Sequence, residues 1–320
     1  MNITKDGSTG NKCDDPGSTA EMEKIRQLAE SGDDEAQYQL GSAYYEGKDA
    51  PDDYAEALRW FRLAAEQEHA VAQYYLGLMY KNGHGVTRDV KEAVKWFRLA
   101  AEQGLAKAQV DLGLIYRGRK DVPENIEKAI KWFMMAAVQG NAVAQCELGH
   151  IYLGGEGVTK NSEEAVKWFK LAADNERNTA AWSIAQLYLE GDGVSQNIDE
   201  AIKWYKLAVE TDKSTALIVA QRYRDGICVA KNGDEAIKWF KIAFEKGVDY
   251  AAVEIARMYR DGNGVPQNGE EAIKWFKILM DKERVEVAGS IGSMYRDGIG
   301  VAKNGDEAIK WFKIAMEESS

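Results

Sequence analysis

From about residue 33 onward the apolar residues recur three and four apart, the spacing of helix faces, and the whole pattern repeats. Trp60, Trp96, Trp132, Trp168, Trp204, Trp239, Trp275 and Trp311 are separated by 36, 36, 36, 36, 35, 36 and 36 residues, and only Trp182 falls outside the series. An aromatic follows each of them, from Phe61 to Phe312, with Tyr205 as the one tyrosine. Alanine stands three residues before every Trp of the series and four after it, except at Leu279. These offsets place the Trp and the alanines on one helical face, where small residues admit a neighbouring helix.

Upstream of each such helix the pattern predicts another. It carries Leu40-Gly41, Leu76-Gly77, Leu112-Gly113 and Leu148-Gly149, then Ile184-Ala185, Val219-Ala220, Ile255-Ala256 and Ile291-Gly292, each followed three residues later by a tyrosine. The small residue marks a close helix crossing. Gly-x-Gly-Val loops, as at 83–86, 155–158, 191–194, 262–265 and 298–301, then end the first helix, because glycine adopts the left-handed conformation of a helix C-terminus. Cys228 replaces the second glycine of one loop. The second helix opens on Asp53, Asp89, Asn125, Asn161, Asn197, Asn232, Asn268 or Asn304, with Glu three residues on in every case but Lys128. That is an N-cap with the glutamate of a reciprocal capping box.

A fixed period of this length is the mark of a solenoid. The recurring consensus A-x-x-x-x-LG-x-x-Y-x-x-G-x-GV-x-x-[DN]-x-x-EA-x-KWF-x-x-A resembles the Sel1-like repeat, a relative of the tetratricopeptide repeat with a longer loop between its helices. The resemblance covers about residues 33–318. It implies an all-α fold: a right-handed α-solenoid of about eight antiparallel helix pairs. Residues 19–31 resemble a lone second helix and are expected to cap the single solenoid domain, 19–320. The Gly-, Ser- and Asp-rich stretch 1–18 is expected to be a disordered tail. The stretch VAKNGDEAIKWFKIA occurs at 229–243 and again at 301–315. An active site is built once, so this duplication speaks for framework.

Composition narrows the function further. A formal net charge of −11 argues against nucleic acid and against a basic membrane-surface binder. No run of 18 apolar residues predicts membrane insertion, and the N-terminus lacks the apolar stretch of a signal peptide. As written, the sequence predicts a cytoplasmic protein, with a secreted effector as the other reading. The cysteines, Cys13, Cys146 and Cys228, have no disulfide or metal spacing. The loops lack the GxxxxGK[ST] of a phosphate cradle. The expectation is therefore no enzyme, no catalytic residue, no cofactor and no metal.

The resemblance implies that first helices line a concave face, exposing the residues two before the Leu, one after the Gly and one after the Tyr. The first position gives Tyr38, Tyr74, Val110, Cys146, Trp182, Leu217, Val253 and Gly289. The second gives Ser42, Leu78, Leu114, His150, Gln186, Gln221, Arg257 and Ser293. The third gives Tyr45, Lys81, Arg117, Leu153, Leu189, Arg224, Arg260 and Arg296. Apart from Ser42, Val253, Gly289 and Ser293, these are the candidate partner-binding residues. They predict a peptide groove, apolar over its first two thirds and basic toward its C-terminal end, since large aromatics and arginine anchor interfaces. Against the basic end, Arg224, Arg260 and Arg296 each precede an aspartate. Cys146 and His150 lie four apart on one helix, yet two ligands make no zinc site and no third group orients a Cys–His pair.

The favoured function is an interaction scaffold or adaptor that binds a peptide or helix of a partner protein. A second reading is self-association through the C-terminal end, where Ile309, Phe312 and Met316 leave an apolar helix face. A third is enzymatic. Some cysteine-rich relatives are associated with β-lactam binding and hydrolysis, but they carry a disulfide in each repeat, and this chain lacks such pairs.

Overall fold

The computed structural model describes residues 16–47, 53–118, 124–175, 179–281 and 287–317. Every regular element among them is a helix apart from a single 3-10 residue at Val287. The chain divides into two compact units, 1–144 and 145–320. The first holds α1 (Pro16–Glu30), α2 (Asp34–Glu46), α3 (Tyr54–Glu66), α4 (Ala70–Asn82), α5 (Val90–Glu102), α6 (Ala106–Gly118) and α7 (Ile126–Val138). The boundary falls within α8 (Ala142–Gly154). The second unit continues with α9 (Ser162–Asp174), α10 (Thr179–Glu190), α11 (Ile198–Ala208), α12 (Ser214–Asp225), α13 (Gly233–Glu245), α14 (Tyr250–Asp261), α15 (Gly269–Met280), α16 (Ala288–Asp297) and α17 (Gly305–Glu317). Within each unit, helices pack on their neighbours in sequence, the arrangement of an α-solenoid. The stretch expected to cap the solenoid lies in α1, a helix that starts at Pro16, ahead of the boundary the sequence suggested. The remainder of the expected tail, 1–15 with Cys13, lies outside the described residues.

In seven of the eight pairs the aromatic that follows the Trp is the more deeply buried ring, whereas in the last pair Trp311 is buried and Phe312 half-buried. Phe61, Phe97, Phe133, Phe169, Tyr205, Phe240 and Phe276 are all at most 2% exposed, whereas Trp96, Trp132, Trp168, Trp204 and Trp275 are half-buried. Trp60, Trp239 and Trp311 are buried as well. In five repeats the partner of the aromatic that follows the Trp is the glycine of the first helix. A Cβ on Gly113 would stand 2.5 Å from Phe133, and one on Gly77 would stand 2.6 Å from Phe97. Close-packed interiors leave no room for it.

Four loops that the structure describes in full are fixed at both ends. Gly83, Gly226, Gly262 and Gly298 end their helices in the left-handed region. The cap oxygens of Asp89, Asn125, Asn161, Asn197, Asn232, Asn268 and Asn304 accept from backbone N–H groups in the first turn. The reciprocal half of the capping box is absent here, because the N–H of the cap residue is already used. It donates to the carbonyl of the first-helix tyrosine, from Asp89 to Tyr80 at 2.9 Å and from Asn268 to Tyr259 at 2.8 Å. The glutamates instead accept from the base three residues on, as Glu92 does from Lys95 at 2.6 Å.

A buried amide ladder joins the early repeats. Gln73 donates to the Ala65 carbonyl at 3.2 Å and accepts from Gln103 at 2.9 Å. Gln37 with Gln67, Gln109 with Gln139, and Gln145 with Asn175 repeat the inter-side-chain bond. In the later repeats Ala181, Ala216, Ala252 and Ala288 occupy the glutamine position.

Candidate functional site

In the first unit the candidate face is built from α2, α4 and α6. Tyr38 and Tyr45 are half-buried within an aromatic cluster. Tyr38 stacks on His69 with ring centroids 4.9 Å apart, and Tyr45 meets Tyr75 edge-on at 5.6 Å. The Tyr45 hydroxyl also lies 3.2 Å from His84 Nδ1. Tyr74 and Lys81 of α4 both reach Asp111 of α6: the Tyr74 hydroxyl donates to Oδ2 at 3.1 Å and Lys81 Nζ to Oδ1 at 2.5 Å. Burial, and secondarily the Asp111 charge, push the Tyr74 hydroxyl well above the usual tyrosine range. Leu78 and Arg117 are half-buried, and Leu114 is 40% exposed. Val110 is buried and does not reach the surface.

The second unit presents its face on α10, α12, α14 and α16, together with the second half of α8. Trp182 is 40% exposed, the largest side chain on this face to be so open. Cys146 is buried, with Sγ 3.7 Å from His150 Nε2, and the exposed His150 ring meets Phe169 edge-on. Leu153, Leu217 and Gln221 are half-buried. Leu189 and Gln186 are buried, contrary to the surface role their spacing predicted. Leu189 belongs to the core between α10 and its neighbours, and Gln186 turns inward to accept from Arg222 Nη2 at 3.0 Å. Nearby, burial pushes the Tyr205 hydroxyl up to about 12.

The arginines of the predicted basic end are all compensated. Arg224, Arg260 and Arg296 each hold the following aspartate with two nitrogens, at 2.7 to 2.8 Å. Each aspartate is thereby held below the usual carboxylate range. Arg224 also reaches the buried Glu254 through Nη1, and Arg257 binds the same carboxylate at 3.0 Å. Arg224, Arg257, Arg260 and Arg296 thus face Asp225, Glu254, Asp261 and Asp297, and the charges balance.

Sequence reasoning missed Asp111 and Glu254, which share one register on the first helices. Their signal was a base thirty residues upstream, Lys81 or Arg224. It also missed an 880 Å³ cleft between α15 and the loop entering α17, lined in part by Lys274, Lys277, Asp281 and Lys303. Among the described residues no cluster of three or more His, Cys, Asp or Glu is placed to hold a metal ion. Among them, too, no helix is long and apolar enough to cross a membrane.

The Sel1 repeat model matches the chain eight times, at residues 34–69, 70–105, 106–141, 142–176, 179–210, 216–248, 249–278 and 289–320. Among solved structures, the chain is similar to a protective antigen present in uropathogenic Escherichia coli strains that displays an SLR fold. The two share 32% identity and a TM-score of 0.70 over 93% of this chain and 64% of that one. The chain thus spans less than two thirds of that relative's length. It is also similar to a Sel1 repeat protein from Oxalobacter formigenes, at 28% identity and a TM-score of 0.57, covering 70% of this chain and 99% of that one. Comparison with curated proteins found no match.

Proposed function

The chain belongs to the Sel1 repeat family, and on that premise we propose that it is an interaction scaffold whose first-helix faces hold an extended peptide or a helix of a partner protein. Repeats of this family generally mediate protein–protein interaction and are generally non-enzymatic. The observation that carries the finer reading is the exposure of Leu114 and Trp182, each 40% open at first-helix positions while the preceding Gly113 and Ala181 are buried. A large apolar side chain held open on a rigid helix costs the free protein hydration and returns binding energy once a partner covers it. The tyrosines and Lys81 around α4 supply polar edges for such a contact, and the Glu254 and Asp111 bonds hold successive first helices together beneath it.

Affinity capture with the wild type, with Leu114→Ala and with Trp182→Ala tests the reading. The expected outcome is that a reproducibly captured protein is lost from one or both variants while their melting temperatures stay unchanged. Capture that is indifferent to both substitutions refutes it.

One observation favours self-association as a second reading: α17 exposes Ile309 at 56% and Met316 at 71%. Sedimentation velocity across a hundredfold concentration range distinguishes it, since a concentration-independent monomer would count against that reading.

A further inference from the structure

Arg224 on α12 shows how this fold binds a carboxylate between successive first helices. Its Nε and Nη2 hold Asp225, and its Nη1 donates to Glu254 of α14. Thirty-six residues later the arginine and its aspartate recur. Arg260 on α14 holds Asp261 with the same two nitrogens, at 2.7 and 2.8 Å. On α16, however, Glu254 is replaced by Ser290, Arg257 by Ser293 and Val253 by Gly289. Three side chains are cut back together, and a cleft of 440 Å³ opens there. Arg260, Gly289, Ser290, Ser293, Met294 and Ile299 line it, with Asp261 at the arginine. Among the described residues nothing accepts from Arg260 Nη1. Beyond its own helix and chain neighbours, no described atom lies within 4 Å of where a Cβ on Gly289 would sit.

We propose that this cleft receives a carboxylate of the partner peptide, with Arg260 Nη1 donating to it as Arg224 Nη1 donates to Glu254. The proposal deepens the interaction-scaffold reading and rests on it. The chain supplies its own template: at Arg224 one guanidinium carries two carboxylates at once, so the pair with Asp261 leaves the third edge of Arg260 available. A planar guanidinium presents five N–H donors, and the bidentate pair uses only two nitrogens. Ser293 donates to the Gly289 carbonyl at 3.0 Å, which leaves the Ser290 hydroxyl as the second donor to the guest. Met294 and Ile299 form the apolar wall for its methylene groups. The carboxylate comes from a Glu or Asp side chain or from a peptide C-terminus, and the two sources give different results below.

The probes are peptides selected from a displayed random heptapeptide library against the intact protein, then synthesised with a fluorophore and measured by anisotropy. Selected peptides are expected to carry an acidic residue or a free C-terminus that binding requires. Replacing the peptide Glu by Gln should weaken binding to the wild type at least tenfold if the side chain is the guest. Amidating the C-terminus should do so if the terminus is. Neither change should matter on Ser290→Glu, which restores the internal Arg–Glu bond of the preceding repeat, nor on Gly289→Val, which fills the cleft without charge. Equal losses on wild type and variants overturn the proposal. Peptides that need Leu114 or Trp182 but ignore Ser290 and Gly289 overturn the cleft and leave the scaffold reading standing. Retention of no peptide overturns both.

Discussion

Lys81 and Asp111 stand thirty residues apart in the chain and 2.5 Å apart in space, joining the first helix of one repeat to that of the next. Both side chains are about 15% exposed, so the bond sits where water screens little. Asp111→Ala is expected to cost about 3 kcal/mol, because it strands the Lys81 charge and the Tyr74 hydroxyl together. The double variant Lys81→Met, Asp111→Leu is expected to recover most of that loss, since an apolar pair removes both unmet groups. Urea unfolding of the three proteins measures it. A double variant no better than Asp111→Ala would show that the charge pair itself supplies the stability.

The amide ladder gives a sharper asymmetry. Gln73→Ala removes one partner each from the Ala65 carbonyl and the Gln103 amide, which keep the Glu68 N–H and the Glu68 carbonyl, and a destabilisation of about 1 kcal/mol is expected. Alanine is the natural residue at the same place in the later repeats, so size alone does not forbid it. A change below a few tenths of a kcal/mol in the urea midpoint analysis would mean that water replaces the amide at no cost.

Two glycines of the same stretch should respond in opposite ways. Gly113→Ala places a methyl 2.5 Å from the buried Phe133 ring and is expected to destabilise by about 1–3 kcal/mol. Gly118→Ala, where no described atom beyond its own helix and chain neighbours lies within 4 Å of the new carbon, should be neutral or mildly stabilising. Thermal melts of the two single variants decide the matter, and similar shifts in both would contradict the close crossing.

Cys228 has φ of 63°, a conformation that costs a side-chain-bearing residue about 1–2 kcal/mol relative to glycine. Cys228→Gly is therefore expected to raise stability by about 1 kcal/mol, offset in part by the greater freedom of glycine in the unfolded chain. A lower melting temperature for the variant would show that the thiol makes contacts worth more than the strain.

The arginine–aspartate pairs set a pH dependence. Asp225 and Asp261 are held below their ordinary value of 3.8 by the guanidiniums of Arg224 and Arg260. A depressed folded-state pKa means stability that is present above 3.8 and lost as pH falls through the folded-state value. Below about pH 4 the melting temperature of the wild type should therefore fall more steeply than that of the double variant Asp225→Asn, Asp261→Asn. Parallel curves would remove these pairs from the acid response.

The helix pairs, their caps and their glycine turns were legible in the sequence because each is a local demand met by one residue type at one spacing. Asn268 announces a helix start and Gly262 a helix end without reference to anything distant. What the sequence hid is the partner of each polar group. The glutamates three residues after the caps looked like capping-box members, but the tyrosine carbonyl had already taken the N–H they would need. Leu189 and Gln186 occupy the same register as the half-buried Leu153 and the exposed His150, yet they are buried, because burial is set by the neighbouring helix and not by the register. Likewise the four arginines suggested a basic surface. Glu254 lies on the next first helix, and only the packing of α14 against its neighbours brings it to Arg224.

The bond from each cap N–H to the tyrosine carbonyl has a consequence for how the chain can change its length. Between Trp204 and Trp239 the spacing is one residue short, and the missing residue lies before Tyr223, in the turn between α11 and α12. On either side the internal stitch is unaltered, at 2.8 Å from Asn197 to Tyr188 and 2.9 Å from Asn232 to Tyr223. An irregularity at a junction therefore stays at that junction. Each helix pair behaves as a closed cassette that can be copied, lost or reworded on its outward positions while its neighbours keep their own geometry.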